Sequence, residues 1–157
     1  MCRYVFSYKF EEENEECFLK FPAFPEIITS INKKDLHSKS AEEIEEYAHG
    51  AVIAALQAII TMRDNIPESN DPGLVRADGF VRLSVGESMK LELSKIYKEN
   101  CKSVAEFSRV LGKPATAARR LLDLNHKSTP SEIENAVRVF GKRLAHDWHL
   151  EDAPVAA

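Results

Sequence analysis

In the stretch LGKPATAARRLLDL at residues 111–124, a Gly-Lys-Pro turn leads into a short segment with helical apolar spacing. A helix that ends at Leu111, a three-residue turn and a second helix that begins at Ala115 match the helix-turn-helix motif. In that motif the second helix enters the major groove of DNA. The stretch therefore predicts a DNA-reading element within a helical bundle.

The helical period of this stretch places its cations on the outside. If Leu111, Ala118 and Leu121 face the bundle, the outward residues are Lys113, Pro114, Ala115, Thr116, Arg119 and Arg120. Arginine binds guanine O6 and N7 with two parallel hydrogen bonds, whereas lysine and the amides of a helix N-terminus suit phosphate. The alternative is that the two arginines only solvate a helix surface, as charged pairs on helices usually do.

Helix-start signals on both sides of this stretch predict that the whole C-terminal half is helical. Ser or Thr is followed by Glu three residues later at 84/87, 103/106 and 129/132, which is the pattern of a capping box. With the apolar spacing, these signals predict helices over about residues 87–101, 104–111, 115–123 and 131–145.

The N-terminal half predicts a small antiparallel sheet and one long helix. Aromatic residues alternate along residues 3–10, which is typical of a strand, and the acidic run 11–16 then becomes a hairpin connection. Further strands are predicted at residues 17–21, 26–31 and 80–85. Ser40 and Glu43 form a capping box that opens a helix to about Arg63, and Gln57 interrupts the apolar run of this helix. The predicted fold class is α+β.

Charge divides the chain near Pro72. Residues 1–72 hold 7 Lys and Arg against 14 Asp and Glu, a net charge of -7, whereas the remaining residues carry +3. The composition changes at the same place, because residues 65–79 collect Pro67, Pro72 and Gly73 among polar residues. Such asymmetry between halves indicates a nucleic-acid-facing segment joined to a segment that has a different partner.

Composition and spacing argue against an enzyme, a metal site and a membrane segment. Metal-dependent phosphodiester hydrolysis needs several carboxylates on rigid elements, and the predicted strands at 3–10, 17–21 and 27–31 carry no Asp or Glu. The three cysteines form no CxxC pair, and His146 and His149 are too few for a zinc site, so we expect no metal and no cofactor. The longest apolar run is too short for a bilayer and the N-terminus lacks signal-peptide order, which predicts a cytoplasmic protein without membrane contact.

Five stretches follow one another in a recognisable order: FPAFPE at 21–26, DNIPESN at 64–70, VRLSV at 81–85, FSRVLGKPATAARRLLDLNHKS at 107–128 and AVRVFGKRL at 136–144. With them, nearly the whole chain resembles the HicB antitoxins of HicAB toxin–antitoxin systems. Two stretches depart from the family pattern. FPAFPE stands where FPDLPG is familiar, and NKKDLHSKS at 32–40 replaces a shorter, glycine-containing turn before the helix.

The resemblance implies a partial RNase H-like domain at residues 1–72, a small antiparallel sheet with a helix, that covers a HicA-type mRNA-cleaving toxin. It also implies a linker and last strand at 73–85, an all-α helix-turn-helix domain at 86–150 that represses the operon at operator DNA, and a flexible tail at 151–157. Paired half-sites predict a homodimer or tetramer. The acidic connection and the FPAFPE segment provide the toxin-contact candidates Glu12, Glu13, Phe24 and Glu26.

Two other classes of function stay open at this point. The chain is a stand-alone regulator if its N-terminal half senses a ligand, although it has no phosphate loop or other small-molecule motif. It is a nuclease if the purified protein cleaves RNA in the presence of a metal. A neighbouring gene for a small basic protein favours the antitoxin over the stand-alone regulator.

Overall fold

The N-terminal sheet has four antiparallel strands. The computed structural model describes residues 4–70 and 75–145. Its strands are β1 (Val5–Glu13), β2 (Glu16–Lys20), β3 (Thr29–Asn32) and β4 (Gly79–Arg82), arranged in the order β3-β2-β1-β4. The predicted α+β class is confirmed.

Most of the acidic run belongs to strands β1 and β2, so the prediction that residues 11–16 form a hairpin connection is wrong: the connection is shorter. Pairing between β1 and β2 continues to Glu13 opposite Glu16, and only two residues form the turn. Asn14 takes the left-handed φ of 53° that a tight turn needs and that asparagine tolerates. The expectation of strands without carboxylates is therefore also wrong, because the hairpin extends beyond the core and its glutamates remain in solvent.

The third strand is shorter than its apolar sequence predicts. Residues 26–31 were expected to be extended, but two successive turns precede β3, in which the Phe24 amide donates to Phe21 O and the Ile27 amide donates to Phe24 O. Ile28 follows these turns with 85% of its surface exposed. Residues 27 and 28 have no neighbouring strand opposite them to pair with, so this part of the apolar run does not form a strand.

Two helices follow β3, of which the sequence predicts only the second. Helix α1 (Lys33–Ser38) begins where the Asn32 side chain accepts a hydrogen bond from the Lys34 amide. Helix α2 (Ala41–Met62) begins at the predicted capping box of Ser40 and Glu43 and ends at Arg63, as expected. Its buried face lies against β4 and the aromatic side of the sheet.

The C-terminal half contains four helices. They are α3 (Val85–Asn100), α4 (Val104–Leu111), α5 (Ala115–Leu122) and α6 (Pro130–Val139). The predicted bounds of α4 are confirmed, and those of α3 and α5 are within two residues. The last helix is shorter than predicted, because Gly141 has a φ of 69° that ends helical geometry soon after Val139.

One continuous core runs from the sheet through α2 into the C-terminal helices. The segment before the gap at 71–74 adds to the sheet, because the Asn70 amide donates to Val5 O and the Asn70 side chain accepts from the amide and hydroxyl of Ser7. The predicted tail at 151–157 and the histidines at 146 and 149 lie outside the described residues. Within the described ranges, no helix has the length and apolarity to cross a membrane.

Candidate functional site

The turn between α4 and α5 is built by Gly112 and Ser108. Gly112 adopts a φ of 63°, and its amide bonds to the last carbonyls of α4. The Lys113 amide donates to Ser108 O at 3.1 Å, and the Ser108 hydroxyl donates back to Lys113 O. Pro114 then starts α5 without a side-chain cap from the described part of the chain. The first amides of α5 are consequently available to an external acceptor.

The residues predicted to face DNA lie together at this turn and along the outside of α5. Lys113, Pro114, Thr116, Arg119 and Arg120 are exposed, whereas Ala115 is partly buried. Ala118 and Leu121 face the core as predicted, and Leu111 is only half-buried. In residues 4–70 and 75–145, no carboxylate forms an ion pair with Lys113, Arg119 or Arg120.

A buried lysine holds the other end of α5. Lys90 on α3 is only 2% exposed, and its ammonium donates to Arg120 O at 2.8 Å, to Asp123 O at 2.6 Å and to His126 O. An ammonium has three N–H donors, so the three carbonyls satisfy it completely. Burial lowers the pKa of Lys90, and the nearby carboxylates of Asp123 and Glu132 oppose that shift.

The amide of Gln57 on α2 contacts the same end of α5. Its Nε2 donates to Leu122 O at 3.4 Å, and its Oε1 accepts from the Leu124 amide at 2.8 Å. The last carbonyls of a helix have no partner within the helix, and a polar side chain can bond them. The end of α5 is therefore bonded by two side chains from elsewhere in the chain.

The Arg63 side chain bonds to carbonyls at the C-terminal end of α3. Its guanidinium donates to Lys98 O at 3.0 Å and to Cys101 O, and it lies over the ring of Tyr97 at 4.6 Å. A cation at a helix C-terminus is favourable because the last carbonyls carry partial negative charge. Helix α2 thus contributes polar contacts to the ends of both α3 and α5.

His49 on α2 forms a further polar contact between the halves. Its Nε2 lies 3.1 Å from the Glu87 carboxylate, which also accepts from the Ser84 amide in the capping box of α3. The hydrogen bond with Glu87 raises the pKa of His49 against an opposing effect of burial. Burial alone would raise the pKa of Glu87, but the bonds from His49 and Ser84 lower it overall.

This pair predicts that the protein loses stability as the pH rises through the folded-state pKa of His49. Because the folded-state pKa of His49 is raised, its contribution is complete below the unfolded value of about 6.5 and is lost as pH rises through the folded value. We expect a change below about 1 kcal/mol, since a third of the His49 side chain is exposed. Urea unfolding at pH 6 and pH 8.5 measures it.

The control for this prediction is His49→Gln, which cannot become charged. Its unfolding free energy should vary less between the two pH values than that of the wild type. An equal pH dependence in both proteins would show that other groups cause it.

The acidic candidates lie on both faces of the sheet. Glu12 is opposite Cys17, on the side of the buried aromatic rings, and its carboxylate pairs with Lys33 at 3.0 Å. The alternation of a strand places Glu11, Glu13 and Glu16 on the other, open face. We call these three glutamates the acidic face.

The FPAFPE candidates differ in accessibility. Phe24 is fully buried, with its ring edge-on to Phe6 at 4.9 Å, so its side chain belongs to the core rather than to a contact surface. This corrects its prediction as a toxin contact. Its neighbour Glu26 is exposed as that prediction requires. The tight turns on either side of Phe24 direct its ring inward.

Sequence reasoning missed Lys90 and Gln57, although both leave a signal. Lys90 precedes Leu93 and Tyr97 at helical spacing, so it occupies a position of the apolar stripe. Gln57 lies between Ile53 and Ile60 on the buried stripe of α2 in the same way. A polar residue at a core position must find a partner, but the pattern does not say which one.

The described residues thus form a mixed α+β protein in which an acidic sheet is joined to helices with an exposed basic turn. No protein-family model matches the chain. It is 30% identical over 113 residues to a protein named antitoxin HicB from Pseudomonas fluorescens (strain Pf0-1), across 70% of this chain and 76% of that protein. The chain belongs to the HicB family of antitoxins.

Proposed function

We propose that the protein is an antitoxin that neutralises a HicA-type mRNA-cleaving toxin and represses its own operon. The observation that carries the proposal is the similarity to a named antitoxin HicB over most of both chains. The protein acts in this proposal by binding, not by catalysis. In residues 4–70 and 75–145, no group of three or more His, Cys, Asp or Glu side chains is placed to hold a metal ion.

The DNA-binding half of the proposal takes α4 and α5 as a helix-turn-helix with α5 as the reading helix. It is supported by the tight turn at Gly112 and by the exposed Lys113, Arg119 and Arg120, which form no ion pair with a carboxylate of residues 4–70 and 75–145. One such module makes few base contacts, and dimers of this motif bind half-sites about 34 Å apart. We therefore propose at least a homodimer on an inverted repeat in the operator.

The toxin-binding half of the proposal uses the N-terminal sheet, within a partial RNase H-like domain. An RNA-cleaving toxin needs a basic surface for its substrate, and residues 1–72 carry a net charge of -7. On the acidic face Glu11 and Glu13 are exposed and Glu16 is half-buried, with the Glu11 carboxylate 3.9 Å from the Lys20 ammonium. Glu26 adds a further exposed carboxylate. Opposite charges on two partners speed their association more than they strengthen the final complex.

This half is tested by neutralising the acidic face. The variant Glu11→Gln/Glu13→Gln/Glu16→Gln should associate with the toxin several-fold more slowly than the wild type at low salt. The difference should shrink at high salt, because ions screen the attraction. Stopped-flow mixing at two ionic strengths measures both rates.

The matched control removes the same charge elsewhere, in Glu42→Gln/Glu46→Gln/Glu68→Gln, which are three exposed glutamates outside the strands. It should associate nearly as fast as the wild type. Equal slowing in both variants would mean that only net charge matters. An unchanged rate in the first variant would remove the acidic face from the toxin-binding surface.

A further inference from the structure

We infer that Gln57 is a positioning residue for DNA reading, in that its amide holds the C-terminal end of α5 from the toxin-binding half of the chain. The inference rests on the proposed DNA-binding function of α5. It assigns a role to the polar residue that interrupts the apolar run of α2.

Both polar atoms of the Gln57 side-chain amide bond to the C-terminal end of α5. Gln57 Oε1 accepts from the Leu124 amide at 2.8 Å, while Nε2 donates to Leu122 O at 3.4 Å. Leu122 and Leu124 are themselves buried. The Leu124 amide and the Leu122 carbonyl have no partner within α5. The Gln57 side chain bonds to both of them in an apolar environment, where an unpaired donor or acceptor is costly.

Helix α5 depends on this end for its direction. It has only eight residues, and no side chain from the described part of the chain caps its N-terminus. Arg119 and Arg120 lie on its last turn, three and two residues before the bonded Leu122. A small shift of this end displaces both guanidinium groups, and paired hydrogen bonds to a base tolerate little displacement.

The two side chains that bond to the end of α5, Lys90 and Gln57, come from different parts of the fold. Lys90 reaches Arg120 O from the adjacent α3, which is itself one of the C-terminal helices. Gln57 reaches Leu122 O across 65 residues of sequence from α2, whose buried face supports β4 and the sheet. The direction of the reading helix is thus set in part by the helix beneath the proposed toxin-binding sheet.

The test is Gln57→Met, which keeps the length of the side chain and removes both hydrogen bonds. Hydrogen exchange of the Leu124 amide reports the contact directly. Fluorescence anisotropy measures affinity for a duplex of the promoter region upstream of the gene and for a scrambled duplex of equal length. The matched control is Thr61→Val on the same helix, because the Thr61 hydroxyl donates to Gln57 O within α2 and to no other group in the part of the chain that the structure describes.

In Gln57→Met we expect the Leu124 amide to exchange its hydrogen faster than in the wild type. The variant should bind the promoter duplex about fivefold to tenfold more weakly, which corresponds to the loss of about one hydrogen bond. Affinity for the scrambled duplex, which depends on phosphate contacts, should change less than about twofold. Thr61→Val should match the wild type in all three measurements. A purely structural role would instead weaken both duplexes equally.

Three other results have distinct meanings. Wild-type promoter affinity in Gln57→Met overturns the inference, and so does an equal loss for both duplexes. A wild-type protein that does not prefer the promoter duplex overturns the proposed DNA-binding function itself, and that result appears before any variant is compared.

Discussion

Replacing Lys90 with methionine is expected to lower the free energy of unfolding by about 2 to 4 kcal/mol. The substitution keeps the apolar stem of the side chain but leaves Arg120 O, Asp123 O and His126 O without their common donor. Arg120 O and Asp123 O keep one donor each, the Asp123 amide at 3.4 Å and the His126 amide at 3.2 Å. The cost therefore comes from the loss of three hydrogen bonds to a charged group, each worth about 1.5 to 3 kcal/mol, and it is reduced because the variant no longer buries an ammonium. Urea unfolding followed by far-UV circular dichroism measures the change.

Lys95→Met is the matched control for this prediction. Lys95 lies on the same helix, but its side chain is 39% exposed and its ammonium pairs with Glu92 at 3.2 Å. Its loss should cost less than about 1 kcal/mol, as is usual for partly exposed ion pairs. Equal and small losses in the two variants would show that the three carbonyls readily find other donors, and that the Lys90 ammonium is not essential to the α5 terminus.

Removing either arginine of α5 is expected to lower operator affinity by about 1 to 3 kcal/mol and to relax preference at one base pair, if that arginine bonds to a guanine. Both side chains are exposed and free of carboxylate partners in residues 4–70 and 75–145, so Arg119→Ala and Arg120→Ala remove no contact that supports the fold. Binding to a panel of single-base operator variants measures both effects.

Lys113→Ala and Arg138→Ala separate base reading from simple charge. Lys113 lies at the N-terminus of α5, so its loss should weaken binding to every duplex and flatten the salt dependence. Arg138 is exposed on α6, and its loss should have little effect on specificity. Toxin neutralisation should survive all four substitutions. If Arg119→Ala/Arg120→Ala binds the operator like the wild type, these arginines only solvate a helix.

Some site residues could be predicted from the sequence and others could not. The exposure of Lys113, Arg119 and Arg120 follows from the helical period once Ala118 and Leu121 face the core. The burial of Phe24 does not follow, because the turns around it, rather than any alternation, direct its ring inward. The sequence did not show which face of the sheet each glutamate occupies, because that depends on strand pairing that extends to Glu13.

From the sequence alone, the beginnings of α2, α3 and α6 could be predicted. The capping boxes at Ser40, Ser84 and Thr129 join a side chain to an amide three residues away, so every atom involved is close along the chain. Tertiary structure alone decided what Lys90 and Gln57 do. Their partners lie 30 to 67 residues away, and a buried or half-buried polar side chain bonds to whichever distant carbonyl or amide the packing brings to it. Local hydrogen bonds are encoded locally, whereas the end of α5 depends on contacts that form only when α2 and α3 have packed against it.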